Sequence, residues 1–304
     1  MEEWISALVS SASAGSDANL PAMEKPGVVA TIGELRTVVG AWRRQGARVG
    51  LVPTMGALHA GHLSLASLAR NLADRVVVSI FVNPAQFAPH EDFERYPRDI
   101  EADRCTLAAG AAADLVFAPA ADEIYPDGFA TSIEIGGPAM GLESDFRPHF
   151  LSGVATVVAK LLIAAAPDVA VFGEKDYQQL LVVRRLAQDL GLPIEIAGAA
   201  IVREPDGLAM SSRNAYLGAD ERRIAGQIHR MLGDVATHVR EGSSIAQAES
   251  LGKDTLLAAG FDSVDYVAVR DAATLARPER PGANMRVLAA AAIGGTRLID
   301  NIPA

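Results

Sequence analysis

Two histidines three residues apart, His59 and His62, stand in the string Pro53-Thr54-Met55-Gly56-Ala57-Leu58-His59-Ala60-Gly61-His62-Leu63. The string falls where a short apolar run, residues 48–52, gives way to helical spacing over 61–72. In the first turn of a helix, rings three positions apart can share one face. A helix start also turns N–H groups and the positive end of its dipole toward an anion. Gly61, between the histidines, would let a flat group come close to the backbone. The residue types leave three readings open: a phosphate-contacting pair, two metal ligands, or ordinary structural histidines. No Glu or third His beside them completes a metal set. The chain has neither Gly-x-x-x-x-Gly-Lys-Ser/Thr nor Gly-x-Gly-x-x-Gly, so neither standard phosphate loop applies.

Three other segments carry chemistry-bearing side chains. Asn83 and Gln86 follow a β-branched run at 76–82, and neutral amides with donors and acceptors suit hydroxyls and a carboxylate. As alternatives, the same amides could simply cap the loop containing Pro84. Gly173-Glu174-Lys175-Asp176 sits between a strand-like run at 169–172 and a helical stretch at 176–190. Its lysine can reach a phosphate and its aspartate can accept from ribose hydroxyls. Met210-Ser211-Ser212-Arg213-Asn214, flanked by Gly207 and Gly218, offers two hydroxyls and a guanidinium in a loop able to wrap a triphosphate. No Gly-x-Ser-x-Gly elbow occurs, which counts against a serine hydrolase.

The elements that must position these residues alternate. A capping box at Thr31 and Glu34 starts a helix that ends before Gly46. Strands at 48–52, 76–82, 114–117, 169–172 and 194–197 alternate with helices at 61–72, 99–109, 153–165 and 176–190. This predicts a Rossmann-like, doubly wound parallel α/β sheet over residues 28–201. Beyond it, helices at 220–239 and 244–259 precede strands at 264–269, 285–291 and 297–301, the pattern of a smaller α+β domain over 202–304. Residues 1–27, rich in Ser, Ala, Gly and Pro toward their end, read as a mobile extension.

Composition narrows the partners. Lys plus Arg number 27 and Asp plus Glu 37, a net charge of −10, which disfavours nucleic acid or an anionic membrane as a partner. The single cysteine, Cys105, excludes an intrachain disulfide framework. No basic region precedes an apolar run at the start, and Lys160, Pro167 and Asp168 interrupt the best apolar stretch. A cytoplasmic location is expected.

The His-x-Gly-His string resembles the nucleotide motif of the nucleotidylyltransferase and class I aminoacyl-tRNA synthetase superfamily. The longer string around it is similar to the pantoate–β-alanine ligase family. Further matches, in order, are Ser79-Ile80-Phe81-Val82-Asn83-Pro84-Ala85-Gln86-Phe87, Tyr96-Pro97-Arg98, Phe172-Gly173-Glu174-Lys175-Asp176-Tyr177-Gln178-Gln179-Leu180, Val202-Arg203-Glu204 and Asp206-Gly207-Leu208-Ala209-Met210-Ser211-Ser212-Arg213-Asn214. The resemblance spans about residues 30–302. Two departures stand out. Ala60 replaces a frequent Glu. Arg147-Pro148-His149-Phe150-Leu151-Ser152-Gly153-Val154 puts Phe150, counted back from Gly153, where the family has His.

The resemblance implies an ATP-dependent condensation of pantoate with β-alanine through a pantoyl adenylate, releasing pyrophosphate and AMP. It assigns His59, His62, Lys175, Ser211, Ser212 and Arg213 to the phosphates. Pro53, Met55, Gly61, Gly173, Asp176, Val202 and Met210 would complete the ATP site, and Met55, Asn83, Gln86 and Gln179 would hold pantoate. Mg2+ is implied on the ATP phosphates with few or no direct protein ligands, and a homodimer is implied. The rival readings are another adenylyltransferase of the superfamily, a synthetase fragment, or a nucleotide-binding regulator without catalysis.

Overall fold

The computed structural model describes residues 25–88, 91–110 and 112–304. Most of the expected extension lies outside them, but its last residue does not belong to an extension. Gly27 opens strand β1 (Gly27–Val29), which pairs in parallel with β4. Three residues are too few to show a period, and this strand exists because a neighbour pairs with it.

The chain divides into two compact units. The first takes Met1–Glu134, Ser152–Phe172 and Leu186–Ala199. Its strands are β1, β2 (Val49–Thr54), β3 (Arg75–Ile80), β4 (Leu115–Phe117), β5 (Val169–Gly173) and β6 (Glu195–Ala199), in the sheet order β1-β4-β3-β2-β5-β6. The pairings β1–β4, β3–β4, β2–β3 and β2–β5 are parallel. The order runs outward in opposite directions from β2 and β5, which makes their carboxyl ends the switch point where open α/β sheets collect ligands.

Helices α1 (Ile32–Arg44), α2 (Ala60–Leu72), α3 (Ile100–Ala109), α4 (Phe150–Ala165) and α5 (Tyr177–Asp189) connect the strands. At the start of α1, Thr31 Oγ1 accepts from Glu34 N at 3.1 Å, and the Glu34 carboxylate accepts from Thr31 N at 3.1 Å. One buried cluster joins Val52, Val76, Val78, Val116, Val169 and Val171 to Ala66 and Ala69 of α2. Strands covered on both faces read as continuous apolar runs, as β3 does. In α4, Gly153 lies so near the Ala85 carbonyl that a Cβ at this position would overlap the oxygen.

The second unit takes Ile135–Leu151, Gly173–Arg185 and Ala200–Ala304. It contains α6 (Ala219–Ala225), α7 (Gln227–Arg240), α8 (Ile245–Ala259) and an antiparallel sheet β7-β8-β9, formed by β7 (Ser263–Asp271), β8 (Met285–Ile293) and β9 (Thr296–Pro303). The single helix expected over 220–239 is two helices separated at Gly226, a residue with weak helical preference. Ile228, Met231, Leu232 and Val235 of α7 bury against Val267, Val287 and Ala289.

A buried acid explains why 135–151 belongs with this sheet. Glu143, 4 % exposed, accepts from Arg297 Nη1 and Nη2 at 2.8 and 2.9 Å and from the Tyr266 hydroxyl at 2.7 Å. Gln178 is also buried. Its Oε1 accepts from Glu143 N at 3.0 Å, and its Nε2 donates to the carbonyls of Pro138 and Gly141 at 3.0 and 3.1 Å. Burial by itself pushes the Glu143 carboxyl up, but Arg297, with Tyr266 and Arg147, outweighs it and holds the carboxyl below the ordinary glutamate range.

Two outcomes follow for stability. A group with a depressed folded pKa stabilises above its unfolded value and loses that contribution as pH falls through the folded one. Glu143→Gln therefore leaves the half-buried Arg297 with Asp265 as its one remaining carboxylate partner, costs about 2 kcal/mol at neutral pH, and weakens the fall in melting temperature below the ordinary glutamate value of 4.5. Melting curves from pH 7 to pH 3 check this. Gly153→Ala is expected to cost about 1–3 kcal/mol through overpacking, read by the same melts at pH 7.

Candidate active site

The segment between β2 and α2 uses its backbone amides in an unusual way. Gly56 has φ +84° and Ala57 φ +51°, so the chain turns through the left-handed region just before the histidines. Thr54 Oγ1 donates to the Ser79 carbonyl at 2.8 Å and accepts from Gly56 N at 3.2 Å. The buried carboxylate of Asp103, on α3, accepts from Ala57 N at 3.2 Å and Leu58 N at 2.7 Å. A Cβ at position 56 would stand 2.9 Å from Asp103 Oδ2, so glycine serves both the turn and the close approach. Burial pushes the Asp103 carboxyl up, while those amides pull it down.

The histidines continue the pattern. His59 is the N-cap of α2, and its Nδ1 accepts from Gly61 N at 3.1 Å. The Nδ1 of His62 accepts in turn from His59 N at 3.3 Å, and the ring centroids are 4.1 Å apart. The amides of residues 62 and 63 bond to the His59 carbonyl. The helix start thus differs from the bare amide nest its sequence suggested. Amides 56, 57, 58, 59 and 61 are all taken by side chains. With Nδ1 accepting, a neutral ring carries its proton on Nε2, so each histidine offers a donor at that atom.

The sequence marks Pro53 and Met55 beside this turn. Pro53 pairs in register with Ser79 inside β2, and Met55 follows the strand, half-buried. Asn83 and Gln86 follow β3 on a short 3-10 turn, Pro84–Gln86. Asn83 is 1 % exposed, and its amide is heavily used. Oδ1 accepts from Ala85 N at 3.3 Å and from the Tyr125 hydroxyl at 2.8 Å, while Nδ2 donates to the Gly153 carbonyl at 3.2 Å. Burial, against the Asn83 hydrogen bond, pushes the Tyr125 phenol up to about 12. Gln86 is half-buried at the end of the turn.

In the second unit, Gly173 precedes the 3-10 turn Glu174–Asp176, whose Lys175 ammonium lies 3.5 Å from Asp176 Oδ1. Gln179 is half-buried, whereas its neighbour Gln178 is consumed by the Glu143 loop. Residues 202–210 form a small hairpin in which Met210 N donates to the Val202 carbonyl at 3.0 Å. Ser211 caps the turn Ser212–Tyr216, its Oγ accepting from Arg213 N at 3.3 Å. Asn214 Nδ2 donates to the Ala209 carbonyl at 3.1 Å. In the departure segment, Phe150 is the first residue of α4 and lies under the Arg147 guanidinium, 3.9 Å from ring centre to Cζ, while His149 is exposed.

Several residues that hold these turns went unmarked in the sequence: Asp103, Tyr125, Arg286 and Asn301; Arg203 stood in a matched string but without a role. One signal was available for Asp103. It lies four residues before the buried Leu107, so helical spacing places a charge on the apolar face of α3. The others come from strands and loops far away in sequence, where no local period exists.

The sequence matches the pantoate–beta-alanine ligase family over residues 27–303. A pantothenate synthetase of Mesorhizobium japonicum is 55% identical over 282 residues, covering 92% of this chain and 98% of that protein. One from Rhodospirillum rubrum is 55% identical over 279 residues, covering 90% and 98%. The crystal structure of pantothenate synthetase from Thermus thermophilus superimposes with TM-score 0.84 at 46% identity, over 90% of this chain and 98% of that one. The pantoate–beta-alanine ligase of Francisella tularensis, solved as a complex with beta-gamma ATP and beta-alanine, gives TM-score 0.77 at 33% identity, over 91% and 97%. This chain belongs to the pantoate–β-alanine ligase family.

Proposed function

We infer that this chain is an ATP-dependent ligase that joins pantoate to β-alanine, making pantothenate. More than half of its residues are identical to those of pantothenate synthetases across nearly their whole length. The observation in the molecule that best supports the chemistry is the imidazole pair at the carboxyl end of β2, with each Nδ1 accepting from a backbone amide, which in a neutral ring puts the proton on Nε2.

A pantoate carboxylate oxygen attacks the α-phosphorus of ATP. The bond from that phosphorus to the β-bridging oxygen breaks, and pyrophosphate leaves. The free amine of β-alanine then attacks the acyl carbon of the pantoyl adenylate. AMP departs, and the amine nitrogen loses a proton to become the amide. A carboxylate is already a nucleophile, so the protein needs no Ser-His-Asp relay. Its task is to position reactants and to stabilise charge growing on phosphate oxygens.

In this reading His59 and His62 donate from Nε2 to phosphate oxygens. Lys175, Ser211, Ser212 and Arg213 serve the same triphosphate, with Arg213 on the departing pyrophosphate. Gly61, Gly173, Asp176, Val202 and Met210, with backbone near Pro53 and Met55, receive the nucleoside. Gln86 and Gln179, with Met55 alongside, receive pantoate, and Asn83 acts from beneath by fixing the turn that carries Gln86. Magnesium arrives as part of the ATP substrate, on its β- and γ-phosphates. Among the described residues no group of three or more His, Cys, Asp or Glu side chains is placed to hold a metal ion. A homodimer and a cytoplasmic site of action complete the reading. No helix among the described residues is long and apolar enough to cross a membrane.

His62→Ala tests the assignment. Pantoate-dependent exchange of labelled pyrophosphate into ATP should fall by about 10²–10³-fold, the scale of losing one donor to a developing oxyanion. The variant should melt within a few degrees of the parent, since about 1 kcal/mol of capping is removed with the ring. Exchange close to the parent rate in folded His62→Ala would reject the histidine role.

A further inference from the structure

The 3-10 turn that carries Lys175 is also held from outside, by side chains of the antiparallel sheet. Asn301, on β9, is 2 % exposed, and its Nδ2 donates to the carbonyls of both Glu174 and Lys175 at 2.9 Å each. Arg286, on β8, supplies the other half of the arrangement. Its Nη1 donates to Asn301 Oδ1, and its Nη2 donates to the Glu174 carboxylate at 3.2 Å. The guanidinium also lies over the Tyr177 ring, 3.7 Å from its centre. Both amide hydrogens of Asn301 and its oxygen are therefore engaged, and Arg286 fixes which end of the amide faces the turn. Buried networks with every member satisfied are rigid, and one altered member leaves others unpaired at a cost.

The neighbouring residue makes a parallel connection. Asp300, also 2 % exposed, accepts from Arg203 Nη1 and Nη2 at 2.6 and 2.9 Å. Arg203 also donates to the Gly207 carbonyl at 2.9 Å. Two consecutive residues of one strand thus hold the Lys175 turn and the hairpin that leads into Ser211–Arg213.

We propose that Asn301, oriented by Arg286, is a positioning residue for Lys175. The proposal rests on the assignment of Lys175 to the ATP phosphates. Asn301 touches no reacting atom; it anchors the two carbonyls that set where the lysine leaves the backbone, so the ammonium is placed before substrate binds. Misplacement by an ångström is enough to lose most of such a contribution.

Asn301→Asp is the discriminating change, because it keeps the volume while it replaces the donor by a charged acceptor. It sets a carboxylate oxygen against two carbonyl oxygens. The expected result is a fall of about tenfold or more in kcat/KM for ATP, with KM for β-alanine unchanged. In a Lys175→Ala background the same substitution should change kcat/KM for ATP by less than about threefold, because residues that act as a unit are non-additive. Parental kcat/KM in Asn301→Asp, or a full additional loss on top of Lys175→Ala, overturns the proposal. Parental activity in Lys175→Ala alone rejects the lysine assignment and the proposal with it, a distinguishable failure. If Asn301→Asp does not fold, Arg286→Lys serves instead. A single ammonium cannot reproduce the two-pronged hold on Asn301 and Glu174, so the same selective loss for ATP is expected, and a parental value again overturns the proposal.

Discussion

A parallel strand that ends beside a ligand edge leaves backbone N–H and C=O groups that no neighbouring strand will pair. Unpaired, each costs on the order of 1–3 kcal/mol when buried, and the chain must still leave space there for substrate. This protein meets the constraint with side chains borrowed from elsewhere. Thr54, Asp103, His62 and His59 take the amides of residues 56, 57, 58, 59 and 61. Asn83 takes an amide and a carbonyl beyond β3, and Asn301 takes two carbonyls beyond β5. Chemistry and architecture share the same atoms. An imidazole that accepts an amide at Nδ1 has its other nitrogen committed as a donor.

Charge within the molecule follows a related logic. The net charge of −10 describes the whole chain, yet several of its buried and half-buried carboxylates are locally matched. Asp300 pairs with Arg203, and Glu143 with Arg297. Asp114, beside β4, pairs with Arg70 and Arg75. A buried pair contributes little net stability relative to apolar residues of the same size, while removal of one partner is severe. Their value here is directional. Asp300 points Arg203 at a hairpin carbonyl, and Glu143 ties residues 135–151 to β7 and β9.

What the sequence made legible follows the range of the forces involved. Apolar periodicity is local, and the five expected central strands and the helices between them all form, with ends displaced by a few residues. The capping box at Thr31 is equally local. Interactions across long separations left no such trace. Gly27 becomes a strand only because Leu115 pairs with it. The grouping of 135–151 and 173–185 with the C-terminal sheet depends on Glu143, Gln178 and Asn301 meeting partners up to 154 residues away. The motifs themselves were visible as strings. That a histidine would cap an amide, or that Asn83 would be enclosed while Gln86 is not, required the fold.

The most direct test of the chemistry follows oxygen atoms. Pantoate labelled with 18O in its carboxylate is incubated with the full chain, ATP and β-alanine, and the products are separated for mass analysis. If the carboxylate attacks the α-phosphorus, cleavage of the adenylate leaves one labelled oxygen in AMP and none in pyrophosphate. Label in pyrophosphate or inorganic phosphate, or unlabelled AMP formed in step with pantothenate, would contradict the adenylate route.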